Sequence, residues 1–210
     1  MKKLIDVGCR KCPKEIQMCY HIMKILKDKA EDMLNCDDVL YERNYLIAFA
    51  YYMGKCYHKK IGRSNVLVNG EVYKTIDMDN KTMKDSYDNL KYSNMSQNFV
   101  FVPDFIVHGN NDSNFAPDKQ KLIIEAKTTT HLSKKGFLWD FYKLNVYLSK
   151  LKYQNASYII VNTKKERVEN LINSYFDAHH FKSRDITTKL WVIIQEQIRA
   201  QPKIYKITNV

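Results

Sequence analysis

Phe99-Val100-Phe101-Val102-Pro103-Asp104-Phe105-Ile106-Val107 is an apolar run whose only charge is Asp104. Its density of aromatic and β-branched residues predicts a mostly buried strand. Proline removes a ladder donor and belongs at edges, strand ends or bulges, so Pro103 marks a break in pairing and sets Asp104 beside it, where it can face a cleft. A second run, Lys121-Leu122-Ile123-Ile124-Glu125-Ala126-Lys127, predicts another strand. Its side-chain period of two puts Ile123, Glu125 and Lys127 on one face and Leu122, Ile124 and Ala126 on the other. The stretch from Gly109 to Asp118 is polar and turn-forming, and it joins the two runs as a long antiparallel hairpin that brings Asp104 near Glu125. Pro117-Asp118 repeats the dipeptide in polar surroundings and reads as a turn.

An acid at a strand end is often simply solvated, and a Glu and a Lys two apart on one strand face form by default an exposed ion pair worth little. Here both acids sit in apolar runs, where an unpaired charge is expensive and a bound metal is among the few things that offset it. Two carboxylates and an amine on neighbouring strand ends are the equipment of metal-assisted phosphodiester hydrolysis.

The flanking segments extend the pattern. Asp37-Asp38 can cap a helix running to about Lys55, with Gly54 near its end. Within it Glu42 shares a stripe with Leu46, Phe49 and Met53, so its carboxylate projects from an apolar face; the alternative is a rim residue paired with Arg43 or a lysine. Phe137 to Leu151 reads as a helix with apolar positions 137, 141, 144, 148 and 151, and Ala156 to Asn162 as a short apolar strand. Asp140, Lys143 and Tyr147 fall about a turn apart on that helix, where they can support the site or touch a substrate backbone; an ordinary exposed face is the favoured reading.

Pro103-Asp104 with Glu125-Ala126-Lys127 resembles the signature of the PD-(D/E)xK nuclease superfamily, whose core is that of the restriction endonucleases. The order helix, strand pair, helix, strand over residues 37–165 is that family's core order, and members carry an acid on the helix before the first core strand, here Glu42. The resemblance implies one α/β nuclease domain with a restriction endonuclease-like core, a central mixed β-sheet flanked by helices. Residues 1–36 would be an N-terminal helical extension and residues 166–210 a C-terminal helix and strands. It also implies Asp104, Glu125, Lys127 and Glu42 as catalytic residues. Asp104, Glu125, the backbone carbonyl of Ala126 and Glu42 would hold one or two Mg²⁺ ions, with Mn²⁺ as a substitute. Lys127 would orient or deprotonate the attacking water and offset negative charge. The implied activity is endonucleolytic hydrolysis of DNA, in a restriction or defence setting. The alternatives are an RNA endonuclease of the same fold, a non-cleaving nucleic-acid-binding module, and a basic structural protein in which the motif is accidental.

A net charge of +11 over 210 residues suits a polyanionic partner, DNA first, whose binding weakens as salt rises. Lys134-Lys135, just after the second strand, is the pair expected to meet phosphates, with Lys143 as a further nucleic-acid contact; most other lysines read as solvated helix faces. The 15 tyrosines can stack on bases where exposed, though most read as core or rim.

Length and a 45% hydrophobic composition predict a single domain with a sizeable core. A helix from about Lys14 to Leu34, opened by Pro13, carries Ile16, Cys19, Tyr20, Met23, Leu26, Ala30 and Met33 on one side, for packing on the core or for a homodimer face. Val66 to Val68 against Val72-Tyr73 predicts a hairpin turning at Asn69-Gly70, followed by a polar stretch to residue 98 that reads as a surface insertion. A helix at 165–176 and strands at 190–194 and 203–208 complete the chain. Met1-Lys2-Lys3-Leu4-Ile5 begins like a signal peptide, but Asp6 ends its apolar run. No run approaches a membrane span, so a cytoplasmic location with reduced cysteines is expected. Cys9, Cys12, Cys19 and His21 offer four zinc ligands by spacing alone, although Cys19 also lies on the apolar stripe of its helix.

Overall fold

In chain order the elements are β1 (Lys2–Asp6), α1 (Lys14–Asp28), α2 (Glu42–Lys60), β2 (Val66–Gly70), β3 (Lys74–Thr75), α3 (Lys81–Leu90), β4 (Val100–Phe101), β5 (Phe105–Gly109), β6 (Gln120–Thr128), α4 (Lys134–Lys150), β7 (Asn155–Val161), α5 (Lys165–Asp177), α6 (Asp185–Lys189), β8 (Leu190–Gln195) and β9 (Lys203–Asn209). The computed structural model describes residues 1–34, 40–60, 66–70, 74–76, 80–90, 100–109, 120–178 and 181–209. Seven strands form one mixed sheet in the order β1-β9-β8-β7-β6-β5-β2, and β3 pairs with β4 in a separate two-stranded sheet. β6, β7 and β8 run parallel, while β5 and β2 on one side and β9 and β1 on the other are antiparallel to their neighbours.

The fold is thus α/β, an open mixed sheet with helices on both faces. The alternation read along β6 divides the core. Leu122, Ile124 and Ala126 pack with Ile16, Ile22, Leu26, Tyr45, Phe49 and Met53 of α1 and α2. Ile123 packs on the opposite face with the side chains of α3, α4 and α5. Strands buried on both faces are the normal condition of a parallel core, which is why β7 and β8 read as near-continuous apolar runs rather than alternating ones.

Several expectations are met and several corrected. The run at 99–107 splits at Pro103, with β4 ending at Phe101 and β5 beginning at Phe105, as the missing proline donor requires. The loop after Gly109, with Pro117-Asp118, lies outside the described residues, as do Asp37-Asp38 and Val72-Tyr73. Asn69-Gly70 is not a turn. β2 runs through both residues and pairs with β5, Asn69 opposite Ile106 and Gly70 opposite Phe105; an open strand edge captured a segment whose local turn chemistry favoured something else. Gly54 does not end its helix, because α2 continues to Lys60. The polar stretch after β3 is no mere insertion, since α3 buries Met83, Tyr87 and Leu90 against the α4 side of the core.

The N-terminal segment is not an extension outside the fold. β1 is the edge strand of the main sheet, registered Leu4 to Ile207, and Leu4 is buried. α1 spends its apolar stripe on α2 and the sheet. It ends at Asp28 and is followed by a 3-10 turn at Ala30–Asp32. Among the described residues, no helix is long and apolar enough to cross a membrane.

Candidate active site

The break at Pro103 creates the site. β5 pairs with β6 from Phe105 opposite Ile124, while β6 continues alongside β7 as far as Thr128. Among the described residues, Glu125 to Thr128 therefore have a partner strand on one side and a gap on the other. A backbone N–H facing such a gap would be an orphan donor. The Ala126 N–H instead donates to Asp104 Oδ2 at 2.7 Å, so the Asp104 carboxylate replaces the missing strand. A strand residue turns its N–H and C=O toward the same neighbour, and the Ala126 carbonyl is accordingly directed to the same gap.

The Glu125 side chain lies on the α4 face, 1% exposed. Its Oε2 accepts from Lys143 Nζ at 2.8 Å, and its Oε1 is buried with no hydrogen-bond partner among the described residues. Lys143 also meets Asp140 Oδ1 at 3.0 Å, and Asp140 Oδ2 lies 3.6 Å from Lys127 Nζ. Tyr158 donates its hydroxyl to Asp140 Oδ2 at 3.2 Å. Lys127 Nζ reaches Glu42 Oε1, at the first residue of α2, at 3.2 Å. One chain of charges thus links the sheet to a helix on each of its faces.

Burial sets the electrostatics. It pushes the Glu125 carboxyl well above its ordinary range, and Asp140 and Asp104 add to this against the pull of Lys143. Asp104 is raised as well, by burial first, with the Ala126 N–H and the two lysines pulling the other way. Burial opposes the Lys127 charge, but Asp140, Glu42, Asp104 and Glu125 outweigh it and lift the ammonium to about 12. Lys143 is raised on the same balance by Glu125 and Asp140.

The structure gathers Glu42, Asp104, Glu125 and Lys127 and adds Asp140 and Lys143. The exposed-face reading of Asp140, Lys143 and Tyr147 is corrected, since all three are buried. α4 is covered on nearly all sides, so an amphipathic reading, which assumes one wet face, fails for it. A signal was present: between Gly136 and Ser149 the only charges are Asp140 and Lys143, one turn apart. Lys134 and Lys135 stand exposed in the first turn of α4, outside this cluster. Cys9, Cys12, Cys19 and His21 form no metal centre, for Cys19 is fully buried in the α1 stripe and the Cys12 thiol donates to the Gly8 carbonyl at 3.2 Å.

Among the described residues no group of three or more His, Cys, Asp or Glu side chains is placed to hold a metal ion. Mg²⁺ does not require one, because it binds through one or two carboxylates and keeps several waters. The donor set here fits that demand: a buried carboxylate oxygen lacking any partner on Glu125, the neighbouring Asp104, and a carbonyl turned to the gap. Four carboxyl groups face two ammonium groups around the gap, and a divalent cation there would favour the ionised forms of Glu125 and Asp104 that burial disfavours. Beside the cluster, Glu42, Arg43, Leu46, Ile47, Ala50, Asp104 and Phe105 line a groove of about 730 Å³ by which a large substrate can reach the gap. Comparison with family models, with curated proteins and with solved structures finds no match to this chain.

Proposed function

We propose that this protein is a Mg²⁺-dependent nuclease with a restriction endonuclease-like core of the PD-(D/E)xK type, hydrolysing phosphodiester bonds in DNA. The observation that carries the reading is the partnerless buried oxygen of Glu125 beside Asp104 at the broken edge of β6, with Lys127 one pleat further along. A buried carboxyl oxygen left without a partner costs stability whatever its role, and such a cost is characteristic of functional sites. The chain order α2, β2, β3, α3, β4, β5, β6, α4, β7, in which a helix precedes the β5-β6 pair and a helix and strand follow it, supports the same reading.

In this mechanism Asp104, Glu125 and the Ala126 carbonyl would hold the metal, and Glu42 would complete the shell directly or through water. When bound, Mg²⁺ would supply a coordinated water of lowered pKa and neutralise charge on the scissile phosphate. Lys127 would orient or help deprotonate the attacking water and stabilise transition-state charge. Lys143 fixes Oε2 of Glu125 and leaves Oε1 for the ion, and Asp140 anchors both lysines. The net charge of +11 supports a polyanionic substrate.

The test is cleavage of supercoiled plasmid, single-stranded DNA and RNA in Mg²⁺, Mn²⁺ or EDTA, with wild type beside Asp104→Ala, Glu125→Gln and Lys127→Ala. The expected result is metal-dependent DNA cutting, reduced about 100-fold or more in each variant, the loss typical when a positioned electrostatic group is removed. RNA cut in preference to DNA would reassign the substrate, and folded wild type inert on all three would remove the nuclease reading.

A further inference from the structure

Most large apolar side chains are inside, and among the described residues the exposed exceptions are Met1, Ile5, Tyr41, Ile47 and Tyr51. Ile47 and Tyr51 lie one helical turn apart on α2, and Arg43 and Lys55 continue the spacing of four on either side, all four exposed. This stripe lies opposite the buried one formed by Tyr45, Phe49 and Met53. α2 is therefore apolar on two sides, and its outer side combines aromatic, aliphatic and cationic groups.

The stripe is also a ridge between two grooves. On one side lies the groove of about 730 Å³ whose wall includes Glu42 and Asp104. On the other, Leu26, Met33, Asn44, Ile47, Tyr51 and Tyr52 contribute to a groove of about 490 Å³. Ile47 borders both. Tyr51 as a residue is 56% exposed, and its ring is braced edge-on by Tyr52, with centroids 5.1 Å apart. Lys55 Nζ lies 4.8 Å from its centroid.

We propose that this face of α2 binds single-stranded DNA next to the point of cleavage, a base stacking on Tyr51 over Ile47, with Arg43 and Lys55 meeting the flanking phosphates. The inference rests on the nuclease reading for the direction of the strand, from the ridge into the Asp104 groove. Charge complementarity and continuity with that groove favour nucleic acid over a second copy of this chain, because an antiparallel isologous contact of this stripe would set Arg43 of each copy against Lys55 of the other. Stacking favours an unpaired strand over duplex: an aromatic platform accepts any unstacked base face, and Ile47 and Tyr51 offer no fork of donors for base-pair edges. Tyr51 lies nine residues from Glu42, about 13 Å along the helix, or about four nucleotides of a stacked strand at ~3.4 Å each.

The test measures binding without cleavage: fluorescence anisotropy of a labelled oligothymidylate, its ribo-counterpart and a duplex of equal length, in EDTA. Wild type should bind the DNA single strand more tightly than the duplex. Tyr51→Ala should loosen that binding about tenfold or more, and Tyr51→Phe should stay within about twofold because the ring is kept. Single-strand binding unchanged in both Tyr51→Ala and Ile47→Ala, or duplex bound more tightly, would overturn the proposal. Ribo-oligomer bound more tightly than DNA would overturn the choice of DNA. A self-association in ultracentrifugation abolished by Ile47→Glu would overturn it in favour of a second copy. Binding that behaves as expected in a protein inert toward every substrate with Mg²⁺ would sink the nuclease reading and leave the stacking face standing.

Discussion

Glu125 illustrates how one residue is read twice. Its place in an apolar run flags it from sequence, and the period of two puts it on the same face as Lys127. Its immediate partner, however, is Lys143 at 2.8 Å, brought by a helix that begins six residues after the strand ends. Removing one member of a buried pair leaves an uncompensated charge, so Lys143→Met is expected to destabilise the protein by about 3–5 kcal/mol. The double variant Glu125→Gln with Lys143→Met should recover much of that loss. Urea unfolding of the set would check this, and additive losses would show that the two groups are not coupled. Glu125 also predicts a metal effect. Mg²⁺ at about 100 times its dissociation constant should stabilise wild type by ~2.7 kcal/mol, and Glu125→Gln, which keeps the shape and loses the charge, should lose most of that gain in a thermal-shift titration.

At the scale of elements, α2 joins three tasks: a core stripe, a charge delivered to the site through Glu42, and an outer ridge. Its long interior includes Gly54, where a Cβ would meet nothing within 4 Å. Glycine inside a helix costs roughly 0.5–1 kcal/mol relative to alanine, so Gly54→Ala should stabilise the protein by that much in urea unfolding; a loss of stability would mean that the position is not helical. The N-terminus of α4 is closed by Ser133, whose Oγ accepts from the Gly136 N–H at 3.1 Å. Ser133→Ala is expected to cost about 1 kcal/mol, measurable by denaturation. These local devices are readable from composition and spacing. The identity of the face that each helix buries was legible for α1 and for the core stripe of α2, and illegible for α4, which has hardly any wet side.

For the whole molecule, the first strand binds the two ends of the chain together. β1 pairs with β9 along its length, the Lys2 and Leu4 N–H groups donate to Asn173 Oδ1 and Glu169 Oε1, and Leu4 is buried in the α4-side core. Deleting residues 1–6 would expose the β9 edge and the Leu4 cavity. A drop of several kcal/mol and increased aggregation are expected, following the cost of burying less core and leaving a bare edge; light scattering and melting would detect both, and an unaltered protein would return the segment to the status of an appendage. The sequence alone determined the α/β class, the two strands bearing the charges, the break at Pro103 and the identities of Asp104, Glu125 and Lys127, because these depend on short-range periodicity and on proline's missing donor. Tertiary structure decided the rest: that β2 would pair through Asn69-Gly70 with β5, that β1 would close the far edge, and that Asp140 and Lys143 would enter the site. Those outcomes depend on which open edge and which uncovered face are nearest once the chain collapses, and contacts between residues far apart in sequence leave no local periodicity to read.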